Sequence, residues 1–116
     1  MDNFEFLADD IFGIYKVGIV FRGNVLQGKA RTGDVISFEA NGEIETGKIH
    51  IIELDRSIIE ETVQGKELGI LLNQFSSKEI ESWDHDLPDS EEELENYPTT
   101  EERIGIKLPT KIWCAK

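Results

Sequence analysis

The sequence predicts an all-β domain, and three features indicate it. Short apolar segments rich in β-branched and aromatic residues follow one another along the chain. Turn signals separate these segments, and almost no segment has the 3.6-residue periodicity of an amphipathic helix. Glycines recur every five residues from Gly13 to Gly33, and glycine inside strands permits the bulges and bends of a closed sheet. We therefore expect a small closed β-barrel of Greek-key-like topology.

Six segments have the composition of strands: 12–17, 18–21, 34–39, 43–46, 48–54 and 68–72. The Asn41-Gly42 pair between the third and fourth segments is a strong signal for a tight hairpin. A second turn is predicted at Thr32-Gly33. The alternation of polar and apolar residues slips at Gly47, which predicts a bulge there.

The sixth segment is apolar throughout, so we expect it to be buried on both sides. Gly69 interrupts it, and we expect a bulky side chain there to overpack the core. Residues 76–81 resemble one turn of helix after a serine cap. The last segment, 104–113, is predicted to form a terminal strand with Trp113 packed against the rest of the protein.

Length and composition limit the class of protein. With 116 residues the chain is expected to form one domain, and its 39% apolar content supports one modest core. No run of eighteen apolar residues is present, and the first residues do not have the pattern of a secretory signal. The single cysteine, Cys114, excludes an internal disulfide framework and favours a cytoplasmic location.

Acidic residues outnumber basic ones by two to one, and their distribution is uneven. The formal net charge is −12, and residues 84–102, here called the acidic block, carry nine acids and no Lys or Arg. Its candidate partner-binding residues are Asp89, Glu91, Glu92, Glu93 and Glu95. The block is either a solvated linker or a patch for a basic protein partner. Binding of bare nucleic acid through a broad basic surface is disfavoured, because such binding needs clustered Lys and Arg.

The sequence contains no recognisable catalytic constellation. Neither His50 nor His85 has a cysteine or second histidine at metal-ligand spacing, so we expect no metal site. Cys114 is interpreted as a packed or idle thiol. The glycine-rich phosphate loop of nucleotide-binding proteins is absent, and we expect neither a cofactor nor an enzymatic activity.

The most specific pattern is GIVFRGNVLQGKARTGD, residues 18–34. It resembles the opening of the second β-barrel domain of elongation factor Tu and related translation GTPases, G-x-V-x-x-G-x-V-x-x-G-x-x-K/R-x-G-D, without a gap. Four further segments resemble the same domain: DDIF at 9–12, ELDRSII at 53–59, QGKELGILL at 64–72 and SKEIE at 77–81. The resemblance covers about residues 9–86 and implies a barrel of that type without its GTPase domain.

In that family the barrel helps to hold the aminoacyl end of tRNA. The pocket uses acidic residues at the start of the barrel, a Glu and an Arg on one strand, and an Asn before the last apolar strand. By position, Asp9 and Asp10 match the first group, Glu53 and Arg56 match the second, and Glu67 stands at the Asn position. The resemblance implies that these five residues bind a ligand, with a charged acceptor in place of the amide. The alternative for Glu53 and Arg56 is an exposed ion pair of little energetic weight.

The sequence therefore predicts three parts: a barrel at 1–86, an acidic linker at 87–103, and a C-terminal strand or tail at 104–116. The favoured function is a non-enzymatic binding module for a protein or a translation component. Two alternatives remain open. One is an acidic immunity or inhibitor protein that neutralises a basic toxin or nuclease, and the other is a structural scaffold.

Overall fold

The protein is described by a computed structural model for residues 4–14, 18–76 and 105–114. Within those residues it forms seven strands and no helix: β1 (Glu5–Ile14), β2 (Gly18–Gln27), β3 (Val35–Ala40), β4 (Glu43–Leu54), β5 (Ser57–Ile59), β6 (Glu67–Asn73) and β7 (Thr110–Cys114). The described residues include no helix long and apolar enough to cross a membrane.

Six of the strands close into a ring. The order around the sheet is β3-β7-β1-β2-β6-β4, and an additional pairing of β3 with β4 completes the circle. Every pairing is antiparallel, and β5 extends β4 outside the ring. Strands distant in sequence are neighbours, because β6 lies between β2 and β4 and β7 lies between β1 and β3. The predicted closed β-barrel is confirmed.

The core fills the inside of this ring. Alternate residues of each strand point inward, and the largest fully buried side chains are Phe4, Phe6, Phe21, Phe38, Ile19, Ile36, Ile49, Ile52, Leu68, Ile70, Leu72 and Ile112. The ring centroids of Phe21 and Phe38 are 5.4 Å apart, and Phe75 meets Phe38 edge-on at 6.1 Å. Offset and edge-on contacts are the favourable arrangements of aromatic rings.

The first predicted strand begins too late in the sequence. β1 starts at Glu5, and its N-terminal half has only a short apolar run, Phe6 to Ala8. Phe6 and Ala8 are buried while Leu7 is exposed, so this half of the strand has one buried face and one solvent-exposed face. β2 likewise continues to Gln27.

The two segments predicted at 43–46 and 48–54 form one strand, β4. The bulge predicted at Gly47 is misplaced, because the register between β4 and β6 shifts between Ile49 and Ile51. Gly47 serves a packing purpose instead. A Cβ atom there would lie 3.0 Å from two ring atoms of Phe75, so the missing side chain makes room for that ring.

Both predicted turns are confirmed. Asn41 and Gly42 adopt φ angles of 53° and 77° and connect β3 to β4 as a two-residue hairpin. At Thr32-Gly33 the turn closes through Asp34, whose backbone N–H donates to the Arg31 carbonyl at 3.0 Å. The Asp34 carboxylate accepts from the Arg31 N–H at 2.8 Å.

The predicted terminal strand is present but shorter than expected: β7 begins at Thr110 rather than at residue 104, and it pairs with both β1 and β3. It lies beyond the part of the sequence that resembles the translation factors, yet it belongs to the ring. The helical turn predicted at 76–81 and the acidic block lie outside the described residues, apart from Ser76.

Candidate functional site

The outer face of the barrel carries a row of neighbouring residues that spans four strands. Asp10 of β1 is the register partner of Arg22 on β2. Arg22 is the partner of Gly69 on β6, and Gly69 is the partner of Glu53 on β4. Directly opposed residues project to the same side of a sheet. Leu68 and Ile70, which flank Gly69, lie in the core, so the row faces outward.

Arg22 is the centre of this row. Its guanidinium lies 3.8 Å from a carboxylate oxygen of Glu53 and 4.0 Å from one of Glu67. All three side chains are substantially exposed, and such long, exposed ion pairs contribute little to stability. A Cβ atom on Gly69 would lie 3.8 Å from Arg22 Nη2, so the glycine leaves the side of the guanidinium uncovered. We call Asp10, Arg22, Glu53 and Glu67 the Arg22 surface.

Arg22 is the residue of this site that the sequence analysis missed. It lies between Phe21 and Gly23 in the most specific motif of the chain. That motif predicted the type of barrel and was not used to predict binding residues. Phe21 is fully buried, so strand alternation places Arg22 on the outer face. That alternation was the signal in the sequence that could have identified it.

The two acidic residues of β1 are placed differently. The register of β1 against β2 moves from Ala8 opposite Gly23 to Asp10 opposite Arg22, which leaves Asp9 as the extra residue of a bulge. Asp10 Oδ1 accepts a hydrogen bond of 2.9 Å from the backbone N–H of Ile11. Asp10 therefore belongs to the Arg22 surface, and Asp9 lies beside it in the irregular part of the strand.

Arg56 occupies the turn between β4 and β5 and is exposed. It adopts a left-handed conformation with φ of 68°, next to Asp55 at 48°. Glu53 pairs with Arg22, and Arg56 makes no ion pair with any acid in the described part of the chain. Arg56 therefore lies in the turn that follows the end of β4 and is not part of the row.

An apolar row runs beside the charged one, two residues further along the strands. Phe12 is the register partner of Val20, Val20 of Leu71, and Leu71 of Ile51. Val20 and Leu71 are only 8% and 5% exposed, as expected for a strand buried on both sides, although they lie outside the core cluster. Phe12 is 39% exposed. The accessible apolar surface beside the charges is therefore mainly that of Phe12.

The chemistry of the Arg22 surface is that of recognition. Three carboxylates and one guanidinium give a net charge of −2, which suits a ligand with a cationic group and an apolar neighbour. Within the described residues no group of three His, Cys, Asp or Glu side chains could hold a metal ion. The acidic-block residues predicted to bind a partner lie outside the described residues.

No protein-family model matches the chain. Among solved structures, a bacterial selenocysteine-specific elongation factor, EF-Sec, is similar with a TM-score of 0.53 and 21% identity, over 61% of this chain and 12% of that one. The apo form of elongation factor SelB from Methanococcus maripaludis is similar with a TM-score of 0.52 and 21% identity, over 60% of this chain and 15% of that one.

These similarities concern the barrel. The chain spans less than a sixth of the length of either factor, with matched shares of 12% and 15%. At this level of identity the agreement is one of fold, and a fold can carry many functions. The closed antiparallel ring and the similarity to two elongation factors lead to one conclusion: this chain contains a β-barrel of the translation-factor type.

Proposed function

We propose that this protein is a non-enzymatic binding module of the translation-factor type, and that the Arg22 surface takes the aminoacyl end of a tRNA. The observation that carries the proposal is the grouping of Asp10, Glu53 and Glu67 around Arg22 on one exposed face. These carboxylates come from three strands, and each was assigned to a binding role by sequence resemblance alone. A cytoplasmic location accords with such a partner.

The surface has the two features that an aminoacyl end requires. The α-ammonium group of the amino acid is a cation. The Arg22 surface has an excess of two carboxylates, which can accept hydrogen bonds from that group. The side chain of the amino acid needs apolar surface, which Phe12, 39% exposed, supplies next to the charges. The Arg22 guanidinium is held loosely, at 3.8 and 4.0 Å, and can turn towards a carbonyl or phosphate oxygen.

The test is a titration of labelled tRNA, aminoacylated or deacylated, with the purified protein. We expect tighter binding of the aminoacylated form. Glu53→Gln should weaken that binding about ten-fold, the effect of one lost charge-assisted hydrogen bond. Glu43→Gln, an exposed change of equal charge at the β3–β4 hairpin, is the matched control. Equal affinity for both forms of tRNA, or equal effects of the two substitutions, contradicts the proposal.

An acidic inhibitor of a basic toxin or nuclease is the second candidate, favoured by the net charge of −12. Glu67→Asn distinguishes the two functions. It restores the amide of the elongation-factor pattern and removes one negative charge, so it should preserve or strengthen binding of aminoacylated tRNA. A basic protein partner would bind this variant more weakly, because the variant has one attractive negative charge fewer. The difference should shrink as salt is raised.

A further inference from the structure

A concave surface lies on another side of the ring, between β3 and β7. Its volume is about 780 Å³, within the range of small-ligand sites. We call it the Trp113 cleft, after the largest side chain that lines it. Its other side-chain contributors include Glu39, Asn41, Lys107, Pro109 and Lys111.

The cleft opens where β7 separates from β3. β7 pairs with β1 over four residues, but with β3 only at Cys114 and Trp113. Further along, the chain returns to β3 through a hydrogen bond of 2.8 Å from the Asn41 N–H to the Gly105 carbonyl. The chain around β3 and the segment from Gly105 to Cys114 are thus linked at both ends of the gap. A Cβ atom on Gly105 would overlap Asn41, so glycine is required for that close approach.

The indole of Trp113 lies on the outer face of β7. Its neighbour Ile112 is fully buried, and alternation along the strand directs the next side chain outward. The indole is half-buried, and Pro109 lines the same cleft. The lining of the cleft therefore includes an aromatic ring and a proline ring.

The charge of the cleft differs from that of the whole protein. Lys111 is fixed by Glu5, with 2.9 Å between Nζ and Oε1. Lys107 is exposed and has no ion-pair partner in the described part of the chain. Among the described residues, Lys107 therefore offers the cleft an ammonium group without a carboxylate partner. The Asn41 amide and the Glu39 carboxylate can bond to ring nitrogens or exocyclic amino groups.

We propose that the Trp113 cleft binds an unpaired nucleotide of a single-stranded nucleic acid, with its base stacked on Trp113 and an adjacent phosphate on Lys107. A flat π-system beside a cation is the usual combination for single-stranded nucleic acid. Stacking of one nucleotide does not need the broad basic surface that this acidic chain lacks. An acidic peptide would use the ammonium group and leave the indole without a stacking partner. The proposal does not depend on the Arg22 surface, which lies on other strands.

The test measures fluorescence anisotropy of a labelled six-nucleotide RNA at low salt. Trp113→Leu should lower the affinity at least about five-fold, the lower limit for one lost stacking contact. Trp113→Phe should restore most of the loss, because a phenyl ring still stacks. Melting curves of both variants test whether β7 remains in the ring. If the leucine variant unfolds, the affinity of the phenylalanine variant is compared with that of the wild type instead.

Lys107→Gln should weaken binding and lower the slope of log affinity against log salt by about 0.7. Lys29→Gln, the same charge change in the loop after β2, should have a smaller effect on both quantities. A DNA oligonucleotide of the same sequence shows whether the sugar contributes; weaker DNA binding would identify RNA as the ligand. The proposal is overturned if Trp113→Phe binds no better than the leucine variant, or if an oligo-glutamate peptide competes as well as RNA.

Discussion

Two glycines of the barrel, Gly23 and Gly69, differ in what a new side chain would meet. A Cβ atom on Gly23 would overlap the backbone carbonyl of Leu7, which cannot move without breaking the pairing of β1 and β2. A Cβ atom on Gly69 would lie at ordinary contact distances, 3.6 Å from Val20 and 3.8 Å from Arg22. From the sequence, a bulky side chain at Gly69 was expected to overpack the core. The structure places that missing side chain on the outer face.

We therefore predict that Gly23→Ala lowers the free energy of unfolding by about 3 kcal/mol, the range of severe overpacking. Gly69→Ala should change it by less than about 1 kcal/mol while altering ligand binding at the Arg22 surface. Urea denaturation of the two variants provides the comparison. Equal destabilisation by both substitutions would contradict the assignment of inner and outer faces.

The β4–β5 hairpin has an unusual turn for its sequence. Its two central residues, Asp55 and Arg56, have φ angles of 48° and 68°, values that favour glycine or asparagine. The β3–β4 hairpin meets the same need with Asn41 and Gly42. Local strain of this kind is tolerated most often at functional sites, and Arg56 is one of the residues assigned to binding by resemblance.

We predict that Arg56→Gly stabilises the protein by about 0.5 to 1 kcal/mol, because glycine adopts this conformation without a steric cost. The same change should weaken binding of the ligand proposed for the Arg22 surface. Thermal unfolding and the tRNA titration measure the two effects on one sample. A gain in stability without any loss of affinity would show that Arg56 has no part in binding.

β7 determines whether the ring closes. Ile112 is fully buried, and its strand occupies the gap between β1 and β3. We predict that Ile112→Ala lowers the free energy of unfolding by about 3 kcal/mol, from lost apolar burial and the cavity left behind. Val35→Ala, a similar truncation of an exposed side chain on β3, should cost less than about 1 kcal/mol. Similar values in calorimetric unfolding would mean that β7 contributes little to the barrel.

For the whole molecule, we expect the negative charge of the acidic block to contribute little to the stability of the fold. The acidic block carries nine of the 24 acids and has no extended apolar pattern. We predict that replacing Glu91, Glu92, Glu93 and Glu95 together with Gln leaves the melting temperature nearly unchanged, or raises it slightly by relieving repulsion. If a basic protein is the partner, the same variant should capture it more weakly at low salt, with the difference shrinking as salt is raised. Equal capture would identify the block as a solvated linker.

The class of fold was available from the sequence because its signals are local. Strand composition, the Asn41-Gly42 hairpin and the turn at Asp34 each depend on residues within a few positions of one another. The pattern at 18–34 added the type of barrel. The predicted limits of the strands were less accurate. β1 has one solvent-exposed face, and β4 continues through a bulge that no turn residue marks.

Of the candidate site, the sequence identified the three acidic residues but neither Arg22 nor their arrangement. Resemblance marked Asp10, Glu53 and Glu67 one by one, far apart in the chain. Only the pairing of β1 with β2, and of β6 with β2 and β4, brings them around Arg22. The same holds for the Trp113 cleft, which exists because β7 joins β3 for two residues and then separates from it. Local sequence determines which residues form strands, whereas the register between distant strands decides which side chains meet, because that register depends on how the whole core packs.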